Sequence, residues 1–383
     1  MSDKQPFQAR DYGNGTLEII TVFPGMTSDH PAISALPILG RKFKNLIFTL
    51  EPGASLEVSG FAKLIELSSV TRLKVVTTEP DAHPYLKAGI FTFPRSHEAF
   101  LAIKGDEVTE LILAKMETIP ELNTQAYELL QKLGKPETTF DKLGEIIVKE
   151  PGLAAQILKT ANSAFFMRRT QADTIQTALS VLGMEGLKQI LIVNVFKGLT
   201  GYFGAQKEIL DHGRACAHLG SHLAELGKVP KQNLGKIKLG GLLHDIGSLA
   251  LVFYFPKEYA EVRNLIKTQS KRSYEAESIV FGVEHQRLGK LLAQKWGFPD
   301  YLCYIIGDHH DLRESSWEEL TSPVFCANGF INQTIENVPF TPYYQKLRSY
   351  FAHLGGEKMT ISDLQDALKK EYEKFQATPP TGI

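Results

Sequence analysis

At 383 residues the chain is long enough for two domains of ordinary size, each able to bury its own core. Hydrophobic residues at 43% and charged residues at 22% match a soluble globular composition. The 42 basic and 43 acidic residues leave a formal charge of −1, which argues against a nucleic-acid binder working through bulk charge.

The polar start carries Lys4 and Arg10 with no apolar run behind them, so it does not read as a signal peptide. Residues 1–14 are expected to be irregular. Short β-branched or aromatic runs then predict strands at 16–23 (TLEIITVF), 44–50 (KNLIFTL) and 72–77 (RLKVVT). Helical patterns lie between them at 31–41 and 59–67, and Pro24-Gly25 and Pro52-Gly53 punctuate the turns. Residues 15–105 therefore read as a small α/β domain with a partly parallel sheet.

From about Asp106 the strand signal stops. Apolar residues at three- and four-residue spacing predict helices at 116–133, 139–149, 151–162, 174–182, 186–197 and 209–226. Further helices are expected at 239–254, 256–269, 274–280, 284–296 and 300–309. Pro151 suits the first turn of its helix. The glycine-rich run 198–204 reads as a flexible connection, and Arg168-Arg169 as a solvated loop. Phe253, Tyr254 and Phe255 are expected in the core. Residues 106–315 form an all-α domain on this reading. Residues 316–383 add two or three helices that complete its bundle, with a frayed tail at 378–383. The most apolar segments, 187–195 and 240–255, are too short or carry His and Asp, so no membrane span is expected.

Cys216, Cys303 and Cys326 show no C-x-x-C spacing, which suggests neither a disulfide framework nor a thiolate zinc site and fits a reducing, cytoplasmic compartment.

The run Gly240-Gly241-Leu242-Leu243-His244-Asp245-Ile246-Gly247 sets a histidine before an aspartate in apolar surroundings. Burying an unpartnered ionised carboxylate is costly. A neutral imidazole beside a carboxylate is instead a good ligand pair for a divalent cation. Either the pair meets a metal, or it meets hydrogen-bonding partners that replaced one.

A set of further motifs accompanies that pair in order. They are Ile119-Pro120-Glu121-Leu122, then 147–154 (IVKEPGLA), 158–166 (LKTANSAFF), 174–178 (TIQTA) and 182–187 (LGMEGL). After the His-Asp core come 281–285 (FGVEH), Gly289, Trp296-Gly297-Phe298-Pro299 and His309-His310. Over residues 114–313 this pattern resembles an HDOD domain, the output-type relative of the HD and HD-GYP metal-dependent phosphohydrolases. The resemblance implies a helical bundle of HD-like architecture from a bacterial signalling protein. Carried over position by position, it places His212 as the first histidine, His244 and Asp245 as the pair, and His285, His309 and His310 as further ligands. The late aspartate of the HD pattern falls at Asn328, in Phe325-Cys326-Ala327-Asn328. A neutral amide is a weaker ligand, removes one negative charge, and does not replace the aspartate in holding an attacking water. The resemblance therefore implies a degenerate site that still accommodates a divalent metal (Fe, Mn or Zn). Taken singly, His212 and His285 also read as satisfied structural histidines, and His309-His310 as imidazolium at a helix C-terminus.

In the first domain, Leu56-Glu57-Val58-Ser59-Gly60-Phe61 lies between a strand and a helix, and Leu86-Lys87-Ala88-Gly89-Ile90-Phe91 and His97-Glu98-Ala99-Phe100 follow. Over residues 15–105 these motifs resemble a STAS domain. Glu57 and Val58 replace that family's aspartate and phosphoacceptor, so Ser59 is either a displaced regulatory site or the N-cap of its helix. A receiver domain is the competing fold. It is disfavoured because strand 45–50 ends in Glu51-Pro52 where a receiver needs its aspartate.

Two functions follow as expectations. In one, the chain is a non-enzymatic adaptor that docks protein partners in a signalling pathway, with no nucleic acid and no membrane insertion. In the other, it is a metal-dependent phosphohydrolase of a nucleotide or cyclic-dinucleotide second messenger, with His244 and Asp245 at its centre.

Overall fold

The computed structural model describes residues 7–12, 14–21, 26–52, 54–68, 71–77, 92–117, 125–133, 135, 138–163, 172–202, 207–312, 316–333, 342–347 and 360–377. Two compact units emerge: Met1–Glu110 with Phe281–Val283, and Leu111–Val280 with Glu284–Ile383. The expected boundary at residues 105 and 106 falls inside a helix, Ser96–Glu117.

The first unit holds a five-stranded sheet in sequential order. Its strands are β1 (Gln8–Asp11), β2 (Thr16–Thr21), β3 (Asn45–Leu50), β4 (Arg72–Thr77) and β5 (Thr92–Phe93). β1 is antiparallel to β2, and every later neighbour is parallel. β3 is buried along its whole length because it has a strand on each side and helices on both faces, which explains its unbroken apolar run. Side chains alternate across it: Leu46, Phe48 and Leu50 join one core cluster and Ile47 the other. The larger cluster includes Ile33, Leu36, Leu64 and Leu67 from the helices Pro31–Ser34, Leu36–Lys42 and Val58–Ser68. Burying a side chain the size of Phe48 contributes about 1.5–3 kcal/mol.

Two expectations fail in this unit. Residues 8–11 are not irregular but form β1, an exposed edge strand whose polar sequence Gln-Ala-Arg-Asp gives no alternating pattern to read. The predicted helix 31–41 is two helices, because Ala35 closes the first turn against Pro31 and Ile33 carbonyls before Leu36 begins the second.

The second unit is helical among its described residues. Its helices begin with α1 (Gln125–Lys132), α2 (Phe140–Ile147), α3 (Pro151–Ala161) and α4 (Ile175–Tyr202). They continue with α5 (Lys207–Leu226), α6 (Lys231–Leu243), α7 (Ile246–Tyr254) and α8 (Pro256–Gln269). The last are α9 (Ser273–Phe281), α10 (His285–Lys295), α11 (Asp300–Asp308), α12 (Glu318–Asn332) and α13 (Ile361–Ala377). Of the helix expected at 116–133, the start lies in Ser96–Glu117 and the end in α1 from Gln125, while residues 118–124 lie outside the described residues. The helices expected at 174–182 and 186–197 are halves of α4, which bends at Gly183, where φ is 67° and ψ 177°. α4 also runs through Gly198 to Tyr202, so that part of the expected flexible connection is helical.

The helix expected at 239–254 is interrupted at the His-Asp pair. His244 Nδ1 lies 2.7 Å from the Gly241 carbonyl, an acceptor that a continuing helix would offer to the next backbone N–H. The chain turns through His244 and Asp245, and α7 starts at Ile246. Two close approaches fix the surroundings of this turn. A Cβ on Gly241 would lie 2.6 Å from backbone atoms of Ala217 on α5, and one on Gly247 would lie 2.0 Å from the His285 carbonyl oxygen.

By length and composition, Ile175–Thr200 and Lys231–Tyr254 are apolar enough to cross a membrane. In the fold 44% and 72% of those windows are buried within the protein, and the second is broken at residues 244–245.

Candidate metal centre

Every ligand-type residue singled out in the sequence arrives at one place in the second unit. His212 comes from α5, His244 and Asp245 from the α6–α7 break, His285 opens α10, His309 and His310 follow α11, and Asn328 lies on α12. Their separation in sequence is bridged by helix packing, with α5 against α6 and α12 and α10 against α7 and α11.

Asp245 is the hub. Its Oδ1 lies 3.2 Å from His285 Nε2 and 3.5 Å from His309 Nε2. Its Oδ2 lies 3.4 Å from His244 Nε2 and 3.7 Å from His212 Nε2. His285 Nε2 is also 3.1 Å from Nε2 of both His309 and His310. One ligand atom from each of Asp245, His285, His309 and His310 falls within a 4.8 Å span, and a second such group joins His212, Cys216 and His244.

The far sides of the rings fix their tautomers. His244 Nδ1 donates to the Gly241 carbonyl at 2.7 Å and His309 Nδ1 to the Ile306 carbonyl at 2.7 Å. A carbonyl only accepts, so each Nε2 turns a bare lone pair inward. Among the described residues, Nε2 of fully buried His244 has no hydrogen-bond partner. Orphaning a buried polar atom is costly, and a cation is the partner that this lone pair fits. The donor set therefore suits a divalent metal: imidazoles, one carboxylate, and backbone or carboxylate groups behind them.

Electrostatics follow the same division. Burial opposes charging of His285, but the Glu277 charge and the hydrogen bonds that the ring donates to Asp245 and Glu277 prevail and hold its pKa well above the ordinary value. Glu277 is fully buried, with Oε2 2.6 Å from His285 Nδ1 and accepting the His285 backbone N–H at 2.8 Å. Burial pushes His309 down to about 3 and His212 down to about 4. His310 is likewise held well below its usual range by burial and by His309 and His285. Burial works against the Asp245 carboxylate, yet the surrounding histidines, His244 first, hold its pKa well below normal. His309 and His310 are thus neutral rather than the imidazolium caps that a helix end suggests.

Asn328 is 1% exposed, and its Oδ1 accepts from Asn332 Nδ2 at 2.8 Å. His212 Nε2 lies 3.0 Å from the same oxygen, so this ring donates there.

Two residues of the site were not singled out in the sequence. Cys216, on the same face of α5 as His212, has its Sγ 3.5 Å from His212 Nε2. Its sequence signal is the four-residue spacing His212-x-x-x-Cys216, which belongs to no paired-cysteine motif. Glu277 lies eight residues before His285, a spacing with no motif meaning until a helix end brings the two together.

Ser59 belongs to the first unit. It is inside its helix rather than at the N-cap, and its Oγ accepts the Ser28 backbone N–H at 3.1 Å. Arg168 and Arg169 lie outside the described residues.

A family model described as the HDOD domain matches residues 119–312, just over half of the chain. The chain belongs to the HDOD family. The matched stretch carries all six ligand-type residues from His212 to His310, while Asn328 follows it. An uncharacterized protein of Treponema pallidum (strain Nichols) is 23% identical over 267 residues, covering 68% of this chain and 52% of its own length. The uncharacterized protein YuxH of Bacillus subtilis (strain 168) is 32% identical over 74 residues, 19% of this chain and 18% of YuxH. The chain thus spans about half the length of the first of these relatives and under a fifth of the second. Among solved structures, an HDOD domain protein of unknown function from Geobacter sulfurreducens is similar with a TM-score of 0.44 and 19% identity, over 70% of this chain and 98% of that one. A candidate signal transduction protein from Marinobacter aquaeolei VT8 is similar over 96% of this chain and 91% of its own, with a TM-score of 0.49 and 15% identity.

Proposed function

We propose that the chain is a non-hydrolytic signal-transduction protein whose HDOD domain holds a divalent cation as a fixed part of a regulatory, partner-binding module. Asp245, His285, His309 and His310 would hold the ion, with His244 and His212 beside them. A bound cation supplies a localised positive charge in a buried pocket, where it would polarise an oxygen brought against it. The chain's own groups orient the donors: Glu277 fixes His285, and the Gly241 and Ile306 carbonyls fix His244 and His309.

The observation that carries the non-hydrolytic reading is the engagement of Asn328. Its amide oxygen is taken up by His212 and Asn332. A neutral amide neither adds negative charge beside a cation nor accepts a proton from an attacking water. The pocket keeps its donors while lacking the group expected to activate solvent.

The first unit is read as a STAS-like docking domain for a protein partner in the cytoplasm, its four parallel strands and covering helices supporting that reading. A modification of Ser59 would act by breaking its contact with the Ser28 backbone N–H. Ser59→Asp and Ser59→Ala that leave partner affinity unchanged would remove Ser59 from the proposal.

The second reading, a phosphohydrolase of a nucleotide or cyclic dinucleotide related to the HD-GYP enzymes, is favoured by the convergence of all six ligand-type side chains. Elemental analysis of the full chain purified without chelator, followed by phosphodiesterase assays with added manganese or iron, separates the two. A bound metal with no turnover is expected. Turnover abolished in His244→Ala and Asp245→Ala would replace the first reading with the second.

A further inference from the structure

The centre has two chemically different sides. Asp245 Oδ1 faces His285 and His309, and together with His310 these form a hard, oxygen-and-imidazole group. Asp245 Oδ2 faces His244 and His212, and there the third member is sulfur: His212, Cys216 and His244 each place a ligand atom within 4.8 Å of the others. Two of the three sit on one helix, and His244 sits at the break after α6. His212 and Cys216 are one helical turn apart on α5, and Gly213, Ala217 and Gly241 bring α5 and α6 into close backbone contact beside them. The independent mark of a ligand on this side is His244 Nε2, which is fully buried, turned toward Asp245 Oδ2, and without a hydrogen-bond partner among the described residues.

We propose that His212, Cys216 and His244, with the Oδ2 edge of Asp245, form a second cation subsite in which the Cys216 thiolate is the anionic donor, and that it takes zinc. This rests on the reading of the pocket as a metal centre. Two imidazoles, a thiolate and a carboxylate oxygen are a four-donor set of the kind zinc favours, and sulfur discriminates against manganese and magnesium. The thiolate also restores on α5 the negative charge that a carboxylate at position 328 would have supplied from α12. For the subsite to fill, the Cys216 thiol gives its proton to solvent as sulfur binds. His212 exchanges its hydrogen bond to Asn328 Oδ1 for a bond through the Nε2 lone pair, its remaining proton moving to Nδ1. A closed subsite of this composition stabilises structure and offers no open position for an attacking water.

Cobalt(II) titration of the demetallated full chain tests this, because a thiolate ligand gives cobalt an intense near-ultraviolet charge-transfer band that imidazole and carboxylate do not. The expected result is two bound equivalents, one of them giving the band. Cys216→Ser and Cys216→Ala should each lose the band and weaken that equivalent by at least about tenfold, while the other equivalent persists. Cys303→Ser and Cys326→Ser should retain the band. Zinc should displace the band-forming cobalt, and excess manganese should not. Cobalt bound without the band, and lost in His309→Ala, would overturn the thiolate subsite while leaving the metal centre standing. No cobalt bound at all would overturn both. If either Cys216 variant fails to fold, the wild-type band and its retention in the Cys303 and Cys326 variants still decide the matter.

Discussion

Asn328 Oδ1 lies 3.0 Å from His212 Nε2, across 116 residues of sequence, and the amide is buried. This contact satisfies a buried polar pair that would otherwise need another partner. It also holds one ligand-type histidine as a donor at the edge of the centre.

Replacing that amide with a carboxylate should tighten the centre. Asn328→Asp adds a charged donor, which we expect to raise divalent-metal affinity on the order of tenfold, equivalent to about 1.4 kcal/mol. Without metal the variant should be less stable than the natural chain, since it adds a second buried carboxylate near Asp245. Thermal melts with and without added manganese check both signs. A variant whose melting temperature does not respond more strongly to metal would refute the expectation.

Glu277 anchors His285, and both are buried. Removing one partner of such a pair leaves the other uncompensated, so Glu277→Ala should lower unfolding stability by about 3–5 kcal/mol. Glu277→Gln, which keeps a hydrogen-bonding atom, should cost less. Urea denaturation of both variants measures the difference, and equal losses would mean that volume rather than charge is at stake.

Acid should weaken the metal-free protein through a defined window. His309 is held down to about 3 and His212 to about 4 by burial. Their unfolded values lie near about 6.5, so below that pH the unfolded chain binds protons that the folded chain refuses. Stability therefore falls as pH drops from about 6.5 toward about 4. His285 has the opposite sign: its raised pKa contributes stability that is fully present below about 6.5 and is lost as pH rises through the folded value. Denaturation midpoints in chelator at stepped pH trace the acid limb. A flat profile through that limb would mean that His212 and His309 are charged in the fold.

Gly247 admits no side chain. Gly247→Ala would set a methyl 2.0 Å from the His285 carbonyl oxygen, so α7 and α10 must move apart. Overpacking of this kind costs about 1–3 kcal/mol, and here it also displaces His285 from Asp245. Loss of stability together with weakened metal binding is the expected pair of results. Loss of stability with metal affinity unchanged would show that the helices adjust without disturbing the donors.

Much of this was legible in the sequence because the elements are locally encoded. The parallel strands at 45–50 and 72–77 announce themselves as apolar runs, and the helix at 256–269 is bounded by Pro256 and by Ser270 in the left-handed region. The six ligand-type residues were legible through their order. Gln8–Asp11 was not, since an exposed polar edge strand is specified by its neighbour Thr16–Thr21 rather than by its own pattern. The interruption at His244 was hidden for a related reason: apolar periodicity continues across it, and only the ring's bond to the Gly241 carbonyl shows why the helix stops. Glu277 and Cys216 belong to the centre by tertiary contact alone.

The donor atoms of this centre are sealed to differing degrees. The side chains of His244 and His309 have no exposed surface and that of His285 has 2%, while His212 keeps 14% and Asp245 18%. Anything reaching the innermost nitrogens must slip past these two or the partly exposed His310, or wait for neighbouring helices to breathe. Exchange of any ion held there would then be gated by local opening, so its identity would record what was at hand when the chain folded.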